Sequence, residues 1–194
     1  MKTGDFLRKH NACWDGAKWA LSISDDMSVV WDAMIKEGKH EWLIWTATRP
    51  GVFSDTVLRK LACRFVRDTP ICDGTVWDFL ADERSRKAVE VAELYADGKA
   101  TDGDLADARN AAAAAYAAAD AAAAYAAAFA VAFADADAAA HVTAEAAAAF
   151  AVAFADADAS AWAAAAARIA ADAAAKSAQV RMIAELGNPF NKEA

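Results

Sequence analysis

The sequence predicts an all-α protein, with a Trp-rich multi-helix amino-terminal unit leading into a long alanine-rich helical hairpin, and three observations carry that prediction. Residues 111 to 175 are about two-thirds alanine, the residue of highest helix propensity with no side-chain entropy to lose. Between Asp104 and Leu186 there is neither glycine nor proline. The first hundred residues break into short stretches with helical apolar spacing, each bounded by a capping residue or a glycine. Two regions follow: 1–100, a Trp-rich helical unit, and 101–194, the alanine-rich hairpin, the two forming one continuous domain.

In order along the chain, "SDDMSVVWDAMIKEG" offers Ser24 or Asp25 as a cap. Met27, Val30, Trp31, Met34 and Ile35 form one apolar face, and Gly38 stands where a helix would stop. "HEWLIWTAT" ends against the "RPG" turn at 49–51. "SDTVLRKLACRFVRD" opens at Ser54 and sets Val57, Leu58, Leu61, Ala62 and Phe65 on one side, with Arg59, Lys60, Arg64 and Arg67 off that side. Pro70 closes it. After an apolar piece around Val76, Trp77, Phe79 and Leu80, "DERSRKAVEVAELYADG" has Asp82 as its cap and Gly98 as its stop. Thr101 with Asp104 is a capping-box variant that opens the next helix. Gly187, with Pro189 just beyond, ends the last one.

The alanine-rich run repeats "FAVAFADADA" at 129–138 and 150–159. At about 100° per residue, Tyr125, Phe129, Phe133, Phe150, Phe154 and Trp162 share one arc as a helix-packing stripe. Asp120, Asp135, Glu145 and Asp156 fall on the opposite side. "FAVAF" is its own mirror image. A fold-back near His141 and Val142 therefore pairs Phe133 with Phe150 and Phe129 with Phe154. An antiparallel homodimer centred on the same point makes the same contacts, and the hairpin is preferred because it buries the stripe within one chain. Unbroken, the run would be a rod of about 100 Å.

Charge narrows the functional classes. The net charge is −8; residues 1–100 hold 15 Lys and Arg against 16 Asp and Glu, whereas residues 101–194 hold 5 against 12. The second half disfavours nucleic acid, because phosphate contacts need cations, and favours a basic protein partner. Acidic residues also keep an alanine-rich helix soluble. The opening "MKTGDFLRKHNACWDG" has no apolar signal core, and Cys13, Cys63 and Cys72 are an odd number, so a cytoplasmic chain with reduced thiols is expected. The longest uncharged alanine-rich stretch, 121–134, has 14 residues, short of the roughly 18 a membrane span needs.

Catalytic chemistry finds little support. His10 and Cys13 are spaced as two metal ligands, but no CxxC or HxxxH completes a site. Cys63 reads as a buried apolar residue. Asp135 with Asp137, and Asp156 with Asp158, point about 200° apart on a helix and cannot converge on one atom. No phosphate loop, GxSxG or HExxH is present. Neither catalytic residue, metal nor cofactor is expected. The tryptophans Trp14, Trp19, Trp31, Trp42, Trp45 and Trp77 are read mainly as core, since most fit an apolar face.

The block "DERSRKAVEVAELYADGKATDGDLADAR" followed by an alanine-rich helix resembles an alanine-rich family of bacteria and their phages, some of whose members are labelled immunity proteins. "NACWDGAKWAL", "EWLIWTATRPG" and "LRKLACRFVR" are similar to that family's amino-terminal half, and "GNPF" to its endings. The 21-residue duplication and Gly103 depart from it. The resemblance implies a non-enzymatic interaction protein that inhibits a toxin, nuclease or defence effector, while supplying no catalytic residues. A self-associating alanine-rich scaffold is the alternative.

Overall fold

The computed structural model describes residues 1–71, 74–78, 80, 82–118 and 161–191; side chains are described outside 115–118 and 161–171. The described residues form eight helices and one two-stranded hairpin, so the all-α class holds. They are α1 (Thr3–Lys9), α2 (Trp14–Ile23), α3 (Met27–Lys36), α4 (His40–Ala47), α5 (Asp55–Asp68), β1 (Pro70–Ile71), β2 (Gly74–Thr75), α6 (Glu83–Ala96), α7 (Asp102–Ala118) and α8 (Ala161–Ala184). The centre of the expected hairpin, including His141 and Val142, lies outside the described residues, as do the aromatic pairs.

Two compact units divide the chain: Met1–Phe53 with Val180–Ala194, and Ser54–Gln179. Helices α6 and α7, on either side of residue 100, pack against each other within the second unit.

The first unit is built on the chain start. Thr3 N–H donates to the Asp25 carbonyl at 2.8 Å and Met27 N–H to the Met1 carbonyl at 3.0 Å, which fixes the entry to α3. That pairing chooses the cap: Asp26, rather than the expected Ser24 or Asp25, accepts from Ser28 N–H at 3.0 Å. Ser24 supports the turn by accepting from Asp26 N–H. Met27, Val30, Trp31 and Met34 are buried as the spacing requires, with Leu43, Ile44 and Phe6 beside them in the core. Ile35 is only half-buried. Gly38 ends α3 at φ +62°. The turn after α4 is closed by Val52 N–H donating to the Arg49 carbonyl, with Gly51 at φ +85°, a conformation that suits glycine.

The same unit is completed by the other end of the chain. Phe190 lies edge-on to Phe6, with ring centroids 5.4 Å apart, and to Trp31, 5.9 Å apart. Asn188 holds it there: its Nδ2 donates to the Ser28 carbonyl at 2.9 Å and to Asp32 Oδ1 at 2.8 Å, while its Oδ1 accepts from Phe190 N–H. Ser28 Oγ also donates to Asn191.

The second unit starts at Ser54, whose hydroxyl accepts from Val57 N–H and caps α5. Leu58, Leu61, Ala62 and Phe65 are buried as expected; Val57 is half-buried. Arg59 departs from the expectation that it stands off the apolar side, being 3% exposed. Burial of Cys63 and Val66 widens the face until Arg59 falls inside it, and its guanidinium sits 4.9 Å from the Tyr95 ring centre. Beyond Pro70 a small antiparallel hairpin pairs Pro70 with Thr75 and Ile71 with Gly74. Its following turn is tied back to the end of α5, where Trp77 N–H donates to the Val66 carbonyl at 2.9 Å and Val76 N–H to that of Thr69; free carbonyls at a helix end are satisfied in this way.

Asp82 caps α6 by accepting from Arg84 N–H at 2.8 Å, and Gly98 stops it at φ +71°. The capping box at α7 is reciprocal: Asp104 N–H donates to Thr101 Oγ1 at 3.2 Å, and Thr101 N–H to Asp104 Oδ2 at 2.8 Å. Val89, Ala92, Leu105, Ala108 and Ala112 are buried, with α6 packed between α5 and α7. At the end of α8, Gly187 takes φ +81°.

Candidate interaction surfaces

The expected tryptophan core is corrected by the structure. Trp31 alone of the described tryptophan side chains is fully buried; Trp19, Trp42, Trp45 and Trp77 are half-buried and Trp14 is 80% exposed. Indole combines a large apolar ring with a polar N–H and an electron-rich face, and the half-buried rings use that face. Lys39 Nζ stands 5.5 Å from the centres of both Trp19 and Trp42, which contact each other at 5.2 Å. The Arg49 guanidinium covers Trp45 at 5.0 Å. Trp77 has Arg67 at 3.9 Å and Arg86 at 5.4 Å. These are cation–π contacts at the edge of an apolar core.

Helix α2 is the clearest surface feature. Its sequence WDGAKWALSI is largely apolar, yet only Ala20 is buried. A Cβ at Gly16 would make a tight contact of 3.2 Å with Cys13 Sγ and an ordinary one of 3.5 Å with Trp42 Nε1. Trp19 turns inward to Trp42. Trp14 and Leu21, seven residues apart and so two turns along one face, turn outward, with 80% and 54% exposure. A large, rigid aromatic and a branched aliphatic side chain on one exposed helical face is a composition suited to seating against another protein.

In the second unit, charge is organised into internal pairs. Arg67 forms a two-pronged contact with Glu93, Nη2 donating to Oε2 at 2.7 Å and Nε to Oε1. The hydrogen bond to Glu93 is the main cause raising the Arg67 pKa. Lys60 pairs with Asp97 at 2.6 Å and Arg84 with its own helix cap Asp82 at 2.7 Å. A cavity of about 530 Å³ runs between α6 and α7, walled by Arg84, Arg86, Lys87, Glu83 and Glu90 and floored by Ala108 and Ala111. Three of its charges are already engaged: Arg84 with Asp82, and Lys87 with Glu90 at 3.7 Å. Arg86 Nε donates to the Leu80 carbonyl at 2.6 Å.

The His10 ring rests on Phe6 with centroids 4.6 Å apart, and burial, then Lys9, then Arg49 lower its pKa. Cys13 Sγ lies at α2 beside Gly16. Among the described residues no cluster of three or more His, Cys, Asp or Glu could hold a metal ion. Cys13 and Cys63 are free thiols. Cys63 is buried, its Sγ donates to the Val89 carbonyl, and burial first and Glu93 second push its pKa up to about 12.

The acidic face Asp120, Asp135, Glu145 and Asp156 lies outside the described residues, as do Tyr125, Phe129, Phe133, Phe150 and Phe154. Trp162 stands on α8, but its side chain is outside the description. No helix among the described residues is long and apolar enough to cross a membrane. The Trp14–Leu21 face was not identified by sequence reasoning, although the signal was present as seven-residue spacing within an apolar helix. The Arg67–Trp77–Arg86 stack had no such signal, because its members come from α5, the turn after β2, and α6. Comparison with protein-family models, curated proteins and solved structures finds no match to this chain, so the likeness to the alanine-rich immunity family rests on its sequence blocks alone.

Proposed function

We propose that the protein is a non-enzymatic interaction protein of the immunity or anti-defence type, which binds and blocks a basic toxin, nuclease or defence effector. The observation that supports this reading best is the outward face of α2, where Trp14 and Leu21 stand exposed on a helix that buries Ala20 alone. Partner-binding energy concentrates in a few anchors, tryptophan prominent among them. The acidic excess of residues 101–194 supplies the complementary property, attraction of a cationic protein over a Debye length of about 10 Å at 0.1 M salt.

The test is capture of a partner from the native host by the full chain, followed by two variants. W14A/L21A should weaken binding about 30- to 700-fold, chiefly through dissociation, because it removes a hot spot of about 2–4 kcal/mol. Neutralising Asp120, Asp135, Glu145 and Asp156 to Asn or Gln should slow association and flatten its salt dependence while leaving helicity unchanged. A partner indifferent to both variants would sink the proposal. Capture of the chain itself alone would favour the self-associating scaffold.

A further inference from the structure

A second cavity lies wholly within the first unit. It measures about 220 Å³ and is assembled from three places in the sequence: α1, the turn after α4 and the chain end. Phe6, Phe190, Val52, Pro50 and Pro189 give it apolar walls, and the lining includes Lys9 and His10 from one turn of α1 and its cap. Among the described residues, no Asp or Glu lines it. Lys9, Pro50 and Gly51 are exposed and set its mouth, whereas Phe6 is buried at its base.

Size bounds the ligand first. Drug-sized ligands occupy roughly 300–1,000 Å³, so this space is too small for one. An apolar protein cavity of about 150 Å³ holds benzene, so this one has room for a single ring or branched aliphatic group plus a short polar tail. The walls favour a ring: Phe6 and Phe190 stand at 84° to each other, and a third aromatic group gains from edge-to-face contact with such a pair.

Charge bounds it second. The chain as a whole carries −8, yet among the described residues the charged side chain lining this cavity is the cation Lys9. After burial, the groups that lower the His10 pKa are Lys9 and Arg49, both cations. The imidazole is accordingly neutral near pH 7 and can donate one N–H, while the exposed Lys9 ammonium supplies the charge. An apolar wall ending at a cation and a neutral N–H donor is complementary to a carboxylate on a short apolar stem.

We infer that this cavity is a binding site for a small aromatic or branched aliphatic monocarboxylate, its apolar group seated against Phe6 and Phe190 and its carboxylate at Lys9 and His10. Titration of the isotope-labelled full chain with 3-phenylpropionate, followed by amide and side-chain NMR shifts, tests it. Saturable shifts should centre on Phe6, His10, Val52 and Phe190, with a Kd of about 1 mM, the range expected of so small a ligand. The matched neutral probe, 3-phenylpropionamide, should bind about ten-fold more weakly, because it forfeits the charge-assisted contact. K9Q, at an exposed position that folding does not need, should cost the acid about ten-fold and the amide nothing. V52W, which fills the cavity, should abolish both. Equal binding of acid and amide, an acid affinity unchanged in K9Q, or no saturable shift at these residues by about 10 mM, ten times the expected Kd, would each overturn the assignment.

Discussion

Replacing Phe190 by alanine tests whether the chain end is a working part of the first unit's core. The ring contacts Phe6 at 5.4 Å and Trp31 at 5.9 Å, both edge-on, while remaining half-exposed itself. A fully buried Phe→Ala change costs about 3–5 kcal/mol. Half of that, with part of the roughly 0.5–1.5 kcal/mol that each aromatic pair adds, gives about 2–3 kcal/mol. Because the chain has two compact units, bulk unfolding need not be two-state, so the readout should be local. Amide exchange in α1 and α3, which carry Phe6 and Trp31, should accelerate by roughly 30- to 150-fold under conditions where opening is at equilibrium. N188A, which removes the side chain bonded to the Ser28 carbonyl and Asp32, should move the same amides in the same direction. A change of less than about two-fold in F190A, equivalent to under 0.5 kcal/mol, would show that the tail merely rests on the surface.

Two further outcomes follow from the thiols and the helix caps. In the folded protein near pH 8, iodoacetamide should modify Cys13, which is exposed, and spare Cys63, which is buried with its pKa pushed up to about 12; peptide mapping that found Cys63 labelled at a comparable rate would contradict its placement. Asp82 accepts from the Arg84 side chain and from the Arg84 N–H, and these bonds, in that order, hold its pKa below the usual carboxylate value. A depressed folded-state pKa means that the stabilisation is present above the unfolded value, about 3.9, and is lost as pH falls through the folded one. D82A should therefore lower the Tm at pH 7, and the gap from wild type should close on acidification below about pH 4; a gap independent of pH would rule out the charged cap.

The features legible in the sequence are those decided within one turn of a helix. Ser54, Asp82, the Thr101–Asp104 pair, Gly38, Gly98 and Gly187 act where their local pattern places them. Where several capping residues stand side by side, as at Ser24–Asp25–Asp26, the local pattern is degenerate. The choice of Asp26 comes from the chain start pairing with Asp25 and Met27, two dozen residues away. The return of Asn188 and Phe190 to α3 and α1 spans about 160 residues and leaves no periodic trace. Tryptophan shows the same limit differently. Apolar spacing identified the rings as inward-facing, but whether an indole is sealed like Trp31 or capped by a cation like Trp77 depends on which arginine or lysine another element delivers.

The interplay of alanine and charge explains the cavity between α6 and α7. Alanine makes α7 helical by propensity alone, but its methyl contributes little apolar area, so the packing of α7 depends on Leu105 and on close approach at Ala108 and Ala112. Close approach brings the long side chains of α6 over a floor that has nothing to interdigitate with them. Arg84, Arg86, Lys87 and Glu90 therefore stand as walls above Ala108 and Ala111, leaving a cavity of about 530 Å³. Their charges are satisfied within α6 and its approach, by Asp82, by the Leu80 carbonyl and by one another. Such self-contained pairs are screened and contribute little to association. A partner would gain more from the apolar area of Trp14 and Leu21, which stand exposed among the described residues.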